Sequence, residues 1–234
     1  AARLLDAEEL EMSNRTLTAA LLVVVLIASL LLPTTLTSQG SDPGPHRPPP
    51  DEVTLEAAAD AGTNASLPTT NYGDAPTLGV GRAGVKFTNT ARTYIGFDLT
   101  HLPSEIEIVS AHLELYLTSW VVGTGPFEIA ANTAGGSWNE SDITWNTQPA
   151  VDHQLDKAMV PEATGYQSWD VTDAVEGWST RRLRNYGLVL SSGLESFGAT
   201  FNSKESRSVY RPRLVISYYG SILTATPTAT RTIP

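Results

Sequence analysis

Residues 110–120 read SAHLELYLTSW, and the period of this stretch decides the fold. Ala111, Leu113, Leu115 and Leu117 alternate with His112, Glu114, Tyr116, Thr118 and Trp120. A period of two is what a half-buried β-strand imposes, because successive side chains leave opposite faces of the pleat. The stretch therefore predicts a strand with one face for a core and a second, polar and aromatic face. The same alternation returns in ARTYIGFDL (91–99), PFEIAAN (126–132), YGLVLSS (186–192) and RPRLVISYY (211–219), with Gly, Pro, Asn and Ser clusters between. Many short strands separated by turn signals predict an antiparallel sandwich or barrel.

One segment breaks the period. In DVTDAVEGWSTRR (170–182), Val171, Ala174, Val175 and Trp178 fall at i, i+3, i+4 and i+7. That spacing predicts a short amphipathic helix, with Asp170 available to cap its first turn and Arg181 and Arg182 placed at the end that favours cations. Trp178 completes the apolar stripe and is expected in the core.

The 234 residues carry 41% apolar and 17% charged side chains, enough for one domain with a core once the ends are set aside. There is no cysteine, which excludes a disulfide framework, a thiolate metal site and a cysteine nucleophile. A net charge of −10 and the lack of any Lys/Arg-rich run argue against nucleic acid as a partner, since that affinity rests on basic residues releasing phosphate counterions. The four histidines are scattered, no G-x-S-x-G elbow occurs, and no carboxylate pair stands out, so a non-catalytic role is expected.

The ends differ from the middle. Residues 17–32, LTAALLVVVLIASLLL, are apolar and free of charge, shorter than a spanning helix needs and close in length to the h-region of an export signal. Residues 1–40 are expected to hold an upstream extension and this segment, acting either as a cleaved signal peptide or as an uncleaved membrane anchor. Both would export the rest. Residues 41–51 form a Pro/Gly-rich linker, 52–220 the folded module, and 221–234 a Thr/Pro-rich linker of the kind that leads into further domains.

NYGDAPTLGVG (71–81), ARTYIGFDLTHLP (91–103), IVSAHLELYL (108–117), SWNESDITWNTQPA (137–150), SWDVTDAVEGW (168–178), NYGLVLSS (185–192), FNSKES (201–206) and RPRLVISY (211–218) occur in that order. Taken together, this set resembles the DNRLRE domain family, whose carbohydrate-binding members form carbohydrate-binding module family 96. The resemblance implies an all-β fold, a jelly-roll type antiparallel β-sandwich, here with one short helix and preceded by an N-terminal hydrophobic segment. It further implies an exported bacterial or archaeal module, of the sort appended to polysaccharide lyases or large surface proteins. Some members bind acidic polysaccharides such as alginate.

A polysaccharide is thus the expected partner, an anionic one, with the cell surface or the exterior as the location. A structural or adhesive spacer without a small ligand is the alternative. Tyr116 and Trp120 stand at i and i+4 on one strand, about 13 Å apart on the same face, a spacing suited to successive sugar rings. Covered by the helix or a loop, the same pair would instead be a second core layer. Arg82, Lys86 and Arg92 supply cations for a carboxylate-bearing glycan. Arg92 has a structural alternative in pairing with Glu205 or Asp98. A structural calcium is a further expectation, on Asp60, Asn64, Asn71 and Asp74, hard oxygen donors in one loop region. Asn71, Tyr72 and Gly73 equally read as turn chemistry.

In GGSWNESDITWNTQPA (135–150), Ser137 and Glu140 have capping-box spacing and predict one helical turn. DITWNTQP predicts a strand with Ile143 and Trp145 facing the core, leaving Trp138 as a lid or a surface ring.

Overall fold

A computed structural model describes residues 47–83, 89–102, 106–121, 127–193 and 197–220; the apolar segment 17–32, most of the 41–51 linker and the 221–234 tail lie outside them. Among the described residues eleven strands, β1 to β11, run in chain order: Asp51–Glu56, Ala59–Asn64, Thr77–Ala83, Asn89–Gly96, Ile106–Val121, Phe127–Ala134, Val151–Val160, Gly165–Asp170, Leu188–Ser191, Phe197–Asn202 and Arg213–Gly220. Helix α1, Thr172–Ser179, lies between β8 and β9. All strand pairings are antiparallel, in the order β1-β11-β5-β10-β3-β4-β9-β6-β7, with β8 added to β5 and β2 to β4.

The sheet curls on itself because two of its strands change partners along their length. β5 pairs with β11 and β8 over its first part and with β10 at its end. β4 pairs with β3 at its start and with β2 and β9 further on. One layer, β1-β11-β5-β8, thereby faces a second, β2-β4-β9-β6-β7, with β10 and β3 as the corner. This is the antiparallel sandwich that the alternating strands predict, in the jelly-roll type form that the family resemblance implies.

Two bulges allow the bend in β5. Ser217 pairs with Ser110 but Tyr218 with Ile108, leaving Val109 as an extra residue. Thr200 pairs with Ser119 but Phe201 with Leu117, leaving Thr118 as a second. Each bulge adds twist and shifts the side-chain alternation by one. Between them the sequence pattern holds: Ala111, Leu113, Leu115 and Leu117 are fully buried. Beyond Thr118 it inverts. Ser119 is exposed and Trp120, opposite the buried Ala199, packs against the core.

The core joins both layers, with Leu78, Ile95, Ile129, Trp169, Leu188, Leu190, Phe201, Leu214 and Ile216 among its buried members. Trp169 on β8 donates its indole N–H to the Ile129 carbonyl on β6 at 2.9 Å, tying the layers across the interior. The helix expected from 170–182 buries Ala174, Val175 and Trp178 as its spacing predicts. Asp170 accepts from the Thr172 backbone N–H at 2.9 Å and from its hydroxyl at 2.6 Å. The helix ends earlier than the arginines, however. Arg181 takes a left-handed φ of 57°, and no basic residue occupies the last turn.

The loop 135–150 departs from its sequence prediction. It contains neither a helical turn at Ser137 nor a strand at 142–149. The Asn139 side chain accepts from Ser141 N, its carbonyl accepts from Asp142 N and Ile143 N, and Thr144 and Thr147 bond each other. These local side-chain bonds offer the backbone turns in place of a strand. The loop covers the outer face of the second layer. Ile143 is buried there with Tyr94, Ala61, Ala134 and Val189, and Tyr94 donates its hydroxyl to the Pro149 carbonyl at 2.7 Å. Trp138 lies edge-on to Tyr94 and donates to the Tyr186 carbonyl at 2.8 Å, so it belongs to this cover. Trp145 is half-buried rather than a core anchor.

Among the described residues no helix is long and apolar enough to cross a membrane.

Candidate functional site

With a loop over the outside of one layer, the polar face of SAHLELYL lies on the outside of the other. Tyr116 projects there from β5, directly opposite Tyr166 on β8, and the two rings meet edge to face at 5.4 Å and 90°. Tyr210, from the loop before β11, lies flat on Tyr116 at 4.4 Å and 11°. It is 46% exposed. Two backbone anchors hold it: Tyr210 N donates to Ser208 Oγ at 3.1 Å, and Asn202 Nδ2 donates to the Tyr210 carbonyl at 3.0 Å. Pro212 follows it, buried, fixing the chain's entry into β11.

Charged groups border the rings. Arg213 on β11 places its guanidinium 4.1 Å from the centre of the Tyr166 ring, while its Nε donates to Glu114 at 2.7 Å. Arg211 reaches Glu56 on the edge strand at 3.5 Å, and both side chains are largely exposed. The Tyr166 hydroxyl donates to the Arg211 carbonyl at 3.3 Å. Partial burial pushes the Tyr166 phenol above its ordinary range, with Arg213 pulling the other way. The phenol therefore stays a neutral hydrogen-bonding group at physiological pH.

Three tyrosines, two guanidiniums and two carboxylates can serve one chemistry in particular. A sugar ring offers an apolar face to an aromatic plane and a belt of hydroxyls to flanking polar groups. A uronate adds a carboxylate that a guanidinium holds with paired hydrogen bonds.

The structure does not bring the sequence-predicted set together. Tyr116 is on this face, whereas Trp120 is not, because the bulge at Thr118 turns it inward. Arg92 lies on the other layer, with its guanidinium 4.9 Å over the Trp145 ring, a partner in place of the Glu205 or Asp98 expected for it. Of Arg82 only the backbone, in β3, is described, and Lys86 lies outside the described residues. Sequence reasoning missed Tyr166, Tyr210 and Arg213. Tyr166 alternates correctly on its short strand, but its pairing with Tyr116 is a matter of register, and Tyr210 precedes the first residue of its strand.

The predicted metal ligands are likewise dispersed. Asn64 accepts from Ser66 N and closes a turn. Asn71 donates to the carbonyls of Glu140 and Ile143, both at 2.7 Å, and accepts from Gly73 N, so it acts as a brace for the covering loop. Asp74 is exposed. Asp60 instead joins Glu140 and Glu205, each offering an oxygen within 4.8 Å of the others. Lys204 contacts Glu140 at 3.1 Å and also bonds Glu205. Glu140 was expected to face Ser137 in a capping box, yet its Oε1 accepts from Asp60 N at 2.7 Å.

A groove of about 700 Å³ beside helix α1 is lined by His153, Asp173, Trp178, Arg182, Arg184 and Tyr186 among others. Its tryptophan is only 7% exposed and packs in the core, and none of the described ring pairs lies in this groove.

The family model of carbohydrate-binding module family 96 matches residues 51–218. The tRNA nuclease WapA of Bacillus subtilis (strain 168) is 26% identical over 179 residues, covering 71% of this chain. The tRNA3(Ser)-specific nuclease WapA of Bacillus spizizenii is 27% identical over 178 residues, with the same 71% share. The matched segment makes up 7% of the length of each of these relatives.

Proposed function

The chain belongs to carbohydrate-binding module family 96, and on that premise we propose that it is a non-catalytic module that binds an anionic polysaccharide on the tyrosine face of β5, β8 and β11. The stacked pair of Tyr116 and Tyr210 carries this reading: it is an aromatic plane held by backbone anchors and left 46% exposed at Tyr210. Tyr210 and Tyr116 would stack against a sugar ring, and Arg213 and Arg211 would hold its carboxylate. Arg211 is the freer of the two, since its contact with Glu56 is long and exposed.

The acidic total charge does not oppose this. Exposed charges more than about 10 Å apart are screened at ordinary ionic strength, so a local pair of guanidiniums governs binding. The nuclease names belong to proteins of which the matched segment is 7%, and they do not speak for that segment. A chain whose counterpart is so small a part of a longer protein suits an appended module. Export through the apolar segment 17–32, and residence outside the cell or at its surface, belong to the same proposal.

The second reading is a structural or adhesive spacer of a surface protein, favoured by the Thr/Pro-rich tail. Affinity electrophoresis on alginate, pectin and neutral glucans separates the two. The binding reading expects retardation on the uronate polymers that Tyr116→Ala and Tyr210→Ala together abolish. Absence of retardation on every glycan leaves the spacer.

A further inference from the structure

Asp60 on β2 is completely buried, and its Oδ1 has no hydrogen-bond partner. The same holds for Oε2 of Glu205. A buried carboxylate oxygen without a partner carries a desolvation cost that folded proteins rarely leave uncompensated. Both of these residues belong to the group in which Asp60, Glu140 and Glu205 each offer one carboxylate oxygen within 4.8 Å of the others.

From this convergence we infer that Asp60, Glu140 and Glu205 bind one divalent cation of the calcium class, which clamps the covering loop and the 202–212 loop onto β2. Charge supports it first. The Lys204 ammonium contacts Glu140 and Glu205, so with Asp60 ionised the three carboxylates exceed it by two negative charges, which a divalent cation balances. Geometry supports it next. Calcium takes oxygen ligands at about 2.3–2.6 Å, so oxygens on opposite sides of the ion stand up to about 5 Å apart, and the group falls inside that span. The remaining oxygens are already oriented. Asp60 Oδ2 accepts from Lys204 N at 2.8 Å, and Glu140 Oε1 accepts from Asp60 N at 2.7 Å, which leaves Asp60 Oδ1 and Glu205 Oε2 for the ion. Glu140 still has lone pairs to share and is a quarter exposed, so solvent can complete a shell of six to eight.

Nothing in the inference depends on where a glycan binds.

The test uses the full chain dialysed against a chelator, then titrated near neutral pH with calcium chloride and separately with magnesium chloride, followed by calorimetry and by thermal unfolding. Calcium is expected to bind at a single site and to raise the melting temperature, as any ligand specific to the native state does. Glu140→Gln and Glu205→Gln should each weaken calcium binding at least tenfold, and Asp74→Asn should leave it unchanged. No heat and no thermal shift with wild-type protein up to about 10 mM calcium, beyond the weak end of extracellular calcium modules, overturns the inference. An equal shift with magnesium overturns the calcium class. Calcium binding that survives both Gln substitutions overturns the site. Should a variant fail to fold, the wild-type titrations still decide.

Discussion

Tyr210 lies parallel to Tyr116, with ring centres 4.4 Å apart and planes inclined by 11°, although one comes from a loop and the other from the middle of the longest strand. A loop residue fixed this firmly against a sheet residue is a preorganised plane, so little entropy remains to be lost when a ligand stacks on it. Tyr210→Ala should weaken binding to a uronate polymer by about 2 kcal/mol, the scale of an aromatic anchor at an interface. Unfolding in urea should be nearly unchanged, since Tyr210 is exposed and lies outside the core clusters. Glycan titration calorimetry beside a urea melt checks both halves.

Arg213 is shared between Glu114 and the Tyr166 ring. Arg213→Lys keeps the charge but removes the planar fork and the stacking. Affinity for polyuronates should fall by about 1.5 kcal/mol, roughly tenfold, the size of a hydrogen bond to a charged group. Neutral glucans should be unaffected. Parallel electrophoresis on both classes of polymer reads the difference.

Gly73 sits where a side chain has no room. A Cβ there would come within 2.3 Å of the Glu140 carbonyl and 2.9 Å of its Cγ. Gly73→Ala must push the covering loop away, and overpacking of this kind costs about 1–3 kcal/mol. The urea midpoint should drop accordingly. Any calcium affinity should fall with it, because Glu140 is the group displaced.

Asp170 gives a pH signature. Its bonds from the Thr172 hydroxyl and backbone hold its carboxyl below the ordinary value of 3.8. A carboxyl depressed in the native state stabilises it above the unfolded value, and loses that contribution as pH falls through the folded one. Asp170→Asn keeps an acceptor for Thr172 N and removes the charge. The melting temperatures of wild type and variant should therefore differ at neutral pH and converge once the solution is acid enough to protonate Asp170. Asp170→Ala, which also removes the acceptor, should cost about 1 kcal/mol at neutral pH, as loss of a helix-start acceptor does.

Much of this architecture is legible before any coordinates. The period of two in SAHLELYLTSW assigns Ala111, Leu113, Leu115 and Leu117 to the core, where all four are fully buried. The one helical stripe assigns Ala174, Val175 and Trp178 just as well, because a stripe, like a strand face, is a property of neighbours in the chain. The same logic fails at Trp120. Nothing in residues 117–121 announces that Thr118 bulges, since the bulge arises from the register with β10. It fails again in the 135–150 loop. There Glu140 has the spacing of a local cap but bonds Asp60, 80 residues away.

By itself, the sequence determined five of the eleven described strands, the core face of residues 111–117, the helix, the absence of cysteine chemistry and the family, all of which depend on side chains within a few residues of one another or on their order along the chain. Tertiary structure alone decided which outer face a loop covers, that Tyr116 meets Tyr166 and Tyr210 rather than Trp120, and that Asp60 meets Glu140 and Glu205 rather than its neighbours Asn64, Asn71 and Asp74. Those meetings are set by strand register and loop closure. Both are fixed by the packing of the whole sandwich, and a local spacing carries no record of them.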